Sequence, residues 1–113
     1  MEKTIKIGGE SIKMKATAAT AIFYRRCFHQ DLMQAITGAT EDGDNIALNA
    51  EIITNLAYIM AKEAKGKALD ASEEDEIKWL SNFDSLDLVK SETAAEIIAL
   101  YTGQQATTSE SKN

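Results

Sequence analysis

The stretch Asn45–Gly66, NIALNAEIITNLAYIMAKEAKG, decides the fold of this chain. Its apolar residues recur with the period of an α-helix and cover roughly 220° of the helix surface, interrupted only by Asn49 and Glu63. A surface helix has a narrower apolar stripe, so this width predicts neighbours on at least two sides. We therefore predict one long central helix around which the other elements pack.

Signals for both ends of a helix flank this stretch. Asp44 or Asn45 can accept a hydrogen bond from a free backbone N–H at the start. Lys62 and Lys65 suit the last turn, and Gly66 suits the left-handed position that follows a helix. The part of the helix surface that the apolar residues do not cover is a polar arc, which holds Thr54, Lys65, Tyr58, Glu51, Lys62 and Asn55.

Length and composition predict one soluble domain. A chain of 113 residues can build a single modest core, and 44% hydrophobic with 27% charged residues is a globular balance. No apolar run approaches the roughly 20 residues that span a bilayer, and the first residues lack the apolar core of a signal peptide. The single Cys27 fits a reducing compartment. We therefore expect a cytoplasmic protein without membrane contact.

Residues 4–16 predict a β-hairpin. Apolar and polar side chains alternate along both halves, and Gly8-Gly9 tolerates the positive φ angles of a two-residue turn. That turn pairs Ile5 with Ile12 and places the apolar residues on one face. An isolated hairpin is marginal in water, so this face must lie on helices.

The next helix begins at Thr17 or Thr20 and runs to about His29. Arg25 and Arg26 share its polar side with His29, while the other side is apolar. Two stripes form the apolar side, one with Ala19, Phe23 and Cys27 and one with Thr20, Tyr24 and Phe28.

A short helical segment at residues 31–36 and a polar loop at residues 37–44 lead to the central helix. After it, Ser72 and Asp75 resemble a capping box at the start of another helix. The side that this helix is predicted to bury holds Ile77, Trp79, Leu80 and Phe83.

The last helix begins at Asp84 or Ser85 and ends at Gly103. Its apolar stripe consists of Leu86, Val89, Thr93, Ile97 and Leu100. The sequence thus predicts an α+β fold, mostly α-helical, with an N-terminal β-hairpin packed on a bundle of about four to five helices around the long central helix. Residues 1–102 are expected to form a single domain, and residues 103–113, which lack large apolar side chains, a flexible tail.

No catalytic, cofactor-binding or metal-binding residues are predicted. Cys27 and His29 stand two residues apart on a helix, so their side chains diverge. The acidic run Glu73–Glu76 lacks the ligand spacing of an EF-hand and suits the positive end of a helix. Gly8-Gly9 belongs to no phosphate-binding pattern.

Two groups of residues are candidates for contact with a partner protein. Arg25-Arg26 is the one compact basic pair; a solvated helix face is the simpler explanation, and contact with an acidic partner is the alternative, since arginine is enriched at interfaces. Trp79 and Phe83 would normally be core, but a small core already has other aromatic residues to bury, so an aromatic at its edge can anchor an interface. The full candidate set is Tyr24, Arg25, Arg26, Phe28, Trp79 and Phe83.

The order of segments over residues 3–101 resembles the tail assembly chaperones of long-tailed bacteriophages that infect Gram-positive bacteria, and of related prophages. The segments that carry the resemblance are GGESIKMKATAAT (residues 8–20), Tyr24-Arg25-Arg26 with Phe28, NLAYIMAK (residues 55–62), Trp79-Leu80, Phe83-Asp84 and IALY (residues 98–101). Where relatives have a proline after the KATA stretch and a glycine beside the following Phe, this chain has Ala21-Ile22 and Cys27-Phe28-His29. That departure leaves the course of this segment open.

The resemblance implies a protein that is not an enzyme and uses no cofactor. Such chaperones bind the tape measure protein, keep its apolar helices soluble and assist assembly of the tail tube. The resemblance further implies self-association, a contact with the tail tube protein through a longer frameshifted form, and a location in the host bacterial cytoplasm during phage assembly but not in the mature virion.

A small helical regulatory or DNA-associated module is the alternative. Arg25-Arg26 would then be the contact with DNA. The net charge of −6 argues against it, because binding to nucleic acid relies on lysine and arginine that neutralise phosphates.

Overall fold

The computed structural model describes residues 1–36, 46–84, 87–88 and 90–110, and within them the fold is α+β and mostly helical, as predicted. The elements are β1 (Glu2–Ile7), β2 (Glu10–Lys15), α1 (Thr20–Phe28), α2 (residues 32–36), α3 (Ile46–Ala64), a 3₁₀ turn (Ala68–Asp70), α4 (Glu73–Leu80) and α5 (Ser91–Glu110). The predictions that lie outside the described residues are the loop at residues 37–44, the caps Asp44, Asn45 and Ser85, and the stripe positions Leu86 and Val89.

The hairpin has the predicted register. Ile5 pairs with Ile12 across the antiparallel strands β1 and β2, which the Gly8-Gly9 turn joins. Its buried face is apolar, with Ile5 and Met14 fully enclosed. That face lies on helices, since β2 contacts α3 and β1 contacts α5.

The central helix α3 contacts β2, α1, α4 and α5, so the prediction of a core helix is confirmed. Its end is also as predicted: Gly66 has φ +72°, the Gly66 N–H donates to the Glu63 carbonyl at 3.0 Å, and the Lys67 N–H donates to the Lys62 carbonyl at 2.9 Å. These two bonds form a Schellman motif. Asn55 and Tyr58, which the helical period places on the polar arc, are buried as well.

The prediction that the last helix ends at Gly103 is wrong. The backbone of α5 stays helical to Glu110, because one glycine costs only about 1 kcal/mol in a helix and no proline follows it. The stripe positions Thr93, Ile97 and Leu100 are buried as expected. The flexibility of residues 103–113 stays a prediction.

Glu63, one of the two polar residues that interrupt the apolar arc of α3, binds the start of α1. The Thr17 hydroxyl donates to Glu63 Oε2 at 2.7 Å, and the Thr20 hydroxyl donates to Oε1. Thr20 is fully buried and Glu63 is nearly so. The two hydroxyls satisfy a carboxylate that burial would otherwise penalise, and they hold α1 against the end of α3.

Replacing Thr20 with valine should destabilise the fold by about 1–3 kcal/mol. Valine keeps the shape of the side chain but leaves a buried carboxylate oxygen without its donor. Urea unfolding measures the loss, with Thr4→Val as the matched control, since Thr4 is exposed on β1 and its replacement should change stability by less than about 0.5 kcal/mol. Equal effects of the two substitutions would contradict the role of the Thr20 hydroxyl.

Replacing Gly8 with alanine should also destabilise the fold, by more than about 1 kcal/mol. Gly8 has φ +64°, a conformation that disfavours any Cβ, and a Cβ there would lie 2.5 Å from Asp87 Oδ2. Gly9→Ala is the control, because a Cβ at Gly9 would meet nothing within 4 Å. Thermal or urea unfolding of both variants separates the two positions, and a Gly9→Ala variant as unstable as Gly8→Ala would refute the assignment.

Candidate partner-binding surfaces

One exposed surface is the outer side of α1. Arg25, Arg26 and His29 are exposed there, as the helical period predicts, and Ile22 on the same side is 57% exposed. Neither arginine forms an ion pair within the part of the chain that the structure describes. We call these four residues the α1 face. It combines an unpaired positive charge with an exposed aliphatic side chain.

The other candidate residues lie deeper. Trp79 and Phe83 are half-buried and meet edge to face, with ring centroids 5.0 Å apart. Phe28 is half-buried and lies 5.0 Å from the ring of Tyr24, which is fully enclosed. The structure therefore places Phe28, Trp79 and Phe83 at the edge of the core, and Tyr24 within it.

A hydrogen-bond network attaches the start of α4 to α3. The Tyr58 hydroxyl donates to Asp75 Oδ2 at 2.6 Å and accepts from the Ser72 N–H at 3.1 Å, while Lys62 Nζ lies 2.9 Å from the same Asp75 oxygen. The hydrogen bonds from Tyr58 and Lys62 lower the pKa of Asp75. Ser72 caps α4 as predicted, accepting from the Asp75 N–H at 3.0 Å. The Asp75 side chain reaches Tyr58 rather than closing a capping box.

This network sets which side of α4 faces the core. The prediction that Ile77 is buried is therefore wrong. Asp75 and Trp79 are one turn apart and both face α3, where Trp79 packs 5.8 Å from Tyr58. Ile77 stands midway between them and so points outward, 64% exposed instead of buried. Burying Ile77 would gain about 1.5–3 kcal/mol. The hydrogen bonds of the partly exposed Asp75, an aromatic pair of about 0.5–1.5 kcal/mol and the partial burial of Trp79 together offset that gain.

The same orientation buries an acidic residue, Glu76, which is only 7% exposed. Its Oε2 atom has no hydrogen-bond partner among the described residues, and neither has the hydroxyl of Tyr24 nearby. Burial, and after it the charges of Glu73 and Glu51, raise the pKa of Glu76 to about 7. In the described part of the chain, an unpartnered carboxyl oxygen of α4 thus lies near residues of α1 and α3.

Burial also raises the pKa values of two groups near Glu76, the Cys27 thiol and the Tyr24 hydroxyl. Burial raises the pKa of Cys27 to about 11, with Glu76 as the next cause. Burial also raises the pKa of Tyr24, and the nearby Asn55 side chain partly opposes that rise. We call the whole group the Glu76 site: Tyr24 and Cys27 of α1, Glu51 and Asn55 of α3, and Glu73 and Glu76 of α4.

Two exposed aliphatic side chains near the start of α4 escaped the sequence prediction. Leu69 in the 3₁₀ turn is 78% exposed, and Ile77 is the second. The exposure of Ile77 could have been predicted, because its spacing from Trp79 and Phe83 places it on a different side of the helix. No comparable signal marks Leu69.

Among the described residues, no group of three or more acidic, histidine or cysteine side chains could hold a metal ion. Over the same part of the chain, no helix has the length and apolar character needed to cross a bilayer. Comparison of the chain with protein families, with curated proteins and with solved structures gave no match.

The raised pKa of Glu76 predicts that stability falls as pH rises. A carboxyl that titrates near pH 7 in the folded chain and near pH 4.5 in the unfolded chain binds its proton more tightly when folded. The stabilisation from this group is therefore complete below about pH 4.5 and is lost as pH passes about 7. Glu76→Gln, which stays neutral, should exceed the wild type in stability at pH 8 by on the order of 2 kcal/mol, and match it at low pH.

Urea unfolding from pH 4.5 to pH 8 measures this difference. Glu74→Gln is the control, because Glu74 is exposed on the same helix and its replacement should give a small difference that hardly depends on pH. A constant difference between the wild type and Glu76→Gln across this range would show that Glu76 is not a buried titrating group.

Proposed function

We propose that this protein is a non-enzymatic tail assembly chaperone that binds a phage tape measure protein and assists assembly of the tail tube. The observation that carries the proposal is that three large aliphatic side chains, Ile22, Leu69 and Ile77, are each more than half exposed on a small acidic domain. Exposed aliphatic side chains on helices can cover the apolar face of another helix. The order of sequence segments that resembles this family supports the same function.

Net charge and surface composition agree with such a role. A charge of −6 keeps the chaperone soluble while its partner contributes the apolar surface. Each copy offers only a few exposed aliphatic residues, so we expect several copies to bind weakly along one tape measure protein and to associate with one another. Weak binding also suits a protein that leaves before the virion is complete, having acted in the cytoplasm of the host.

Co-expression with the tape measure protein of the same phage tests the proposal. The chain should co-purify with that protein and raise its soluble fraction. Trp79→Ala should weaken this complex more than it lowers folding stability, because Trp79 is half-buried and its loss should cost less than the roughly 3–5 kcal/mol of a fully buried tryptophan. Trp79→Phe, which keeps an aromatic ring, is the matched control. Absence of a complex and of any gain in solubility would refute the proposal.

Arg25 and Arg26, both exposed on α1, favour a second candidate function, that of a DNA-associated module. A gel shift at low salt distinguishes the two, since phosphate contacts are strongest there. A retarded band that Arg25→Ser with Arg26→Ser abolishes would favour DNA binding over the chaperone.

A further inference from the structure

Helix α4 has little buried apolar surface to hold it on the fold. The structure describes the whole of α4, and Glu76 is its single buried side chain. Trp79 and Leu80 are half-buried, and Ile77 is exposed. A helix of eight residues is too short to be stable alone, so it depends on packing against the rest of the domain. The attachment of α4 therefore depends strongly on the state of one acidic residue.

The carboxyl group of Glu76 is enclosed by the fold. Its Oε2 atom is buried and has no hydrogen-bond partner among the described residues. Such surroundings tolerate a neutral carboxyl group and penalise a carboxylate. Because the atom is enclosed, the carboxylate gains full hydration only if α4 moves away from the helices that cover it.

The groups that face Glu76 do not compensate a negative charge. Glu73 of α4 and Glu51 of α3 are acidic, and their charges add to the effect of burial in raising the pKa of Glu76. From α1, the Tyr24 hydroxyl and the Cys27 thiol lie close to it, and burial raises the pKa of both, so they are neutral at pH 7. Ionisation of Glu76 thus adds charge to an acidic site.

The lysine of the neighbouring network is already paired. Lys62 Nζ of α3 lies 2.9 Å from Asp75 Oδ2, and the Tyr58 hydroxyl donates to the same oxygen at 2.6 Å. Asp75 precedes Glu76 in α4, and these hydrogen bonds keep its pKa low. Asp75 is therefore ionised before Glu76 loses its proton, and the positive charge of Lys62 is neutralised by it.

Of the two helices that enclose Glu76, α4 is the less firmly attached. The hydroxyls of Thr17 and Thr20 bind α1 to the buried Glu63, and Tyr24 of α1 is fully enclosed. The hydrogen bond and the ion pair from α3 to the α4 side chains both end on Asp75, whose side chain is 42% exposed. Displacement of α4 therefore breaks fewer buried contacts than displacement of α1.

We propose that Glu76 is a proton-dependent switch: while it is protonated, α4 stays packed against α1, and when it loses its proton, α4 opens and uncovers Cys27. The open form is a local unfolding of α4 in which the rest of the domain stays folded. It also brings the half-buried ring of Trp79 into solvent. This device goes beyond the proposed function and does not rest on it.

The direction of the switch follows from proton binding in the two forms. Glu76 titrates near pH 7 in the closed form, and in the open form its pKa returns toward the ordinary value of 4.5. The closed form therefore binds the proton more tightly, and the open form gains population as pH rises from about 4.5 to 7. Above about pH 7 the gain levels off, because both forms are then ionised.

The rate at which a thiol reagent modifies Cys27 measures the opening. Cys27 is the only cysteine and is buried, so it reacts through the open form. A pyridyl disulfide serves as the reagent, and the rate at each pH is divided by that of the urea-unfolded chain, which removes the pH dependence of the thiol itself. This normalised rate should rise by at least about tenfold from pH 5.5 to pH 8.

Two matched substitutions test whether Glu76 causes the rise. Glu76→Gln stays neutral and should remove it, with Glu76→Met as a second neutral replacement in case glutamine disturbs the packing. Glu74→Gln is the same change at an exposed position of the same helix and should keep the rise. Circular dichroism checks that each variant is folded.

Urea separates opening of α4 from unfolding of the whole domain. Opening one short helix exposes little surface, so the normalised rate at pH 8 should hardly change with urea below the unfolding transition. Reaction through the unfolded chain would instead accelerate steeply with urea.

Three results would overturn the inference: a steep dependence on urea, a normalised rate that stays constant with pH, or a rise that the neutral replacements of Glu76 retain. None of them bears on the proposed function, which the co-expression experiment tests separately.

Discussion

Burial of α3 along most of its circumference is the constraint on which the rest of the structure depends. Strand β2 and helices α1, α4 and α5 all contact this one helix. A helix enclosed in this way must also find partners for its polar side chains, because an unsatisfied buried polar group costs about 1–3 kcal/mol. Glu63 and Tyr58 meet that requirement through hydroxyl and carboxyl groups of neighbouring elements, and these bonds position α1 and α4.

The candidate surfaces follow from how those bonds orient the short helices. Thr17 and Thr20 attach α1 to Glu63, and its outer side then presents Ile22 with two arginines. On α4, the bond from Tyr58 to Asp75 turns Trp79 inward and Ile77 outward. The exposed positions of Ile22 and Ile77 are thus a consequence of satisfying polar groups elsewhere in the fold.

Much of the fold could be predicted because its signals are local. The Gly8-Gly9 turn fixes the pairing of Ile5 with Ile12, and Gly66 ends α3 through backbone geometry that other residues rarely adopt. The candidate surfaces were only partly predictable. Arg25 and Arg26 face outward as the helical period requires, whereas the outward position of Ile77 and the burial of Glu76 contradict their polarity.

The sequence by itself determined the elements, since turns, caps and periodic apolar positions depend on residues near one another in the chain. It determined the hairpin register, the central helix and the Ser72 cap of α4. Only the tertiary structure decided how α4 is rotated and that Glu76 is buried. That choice depends on Tyr58 and Asp75, which are 17 residues apart, and no local pattern shows that a tyrosine on the polar arc of one helix meets a carboxylate on another.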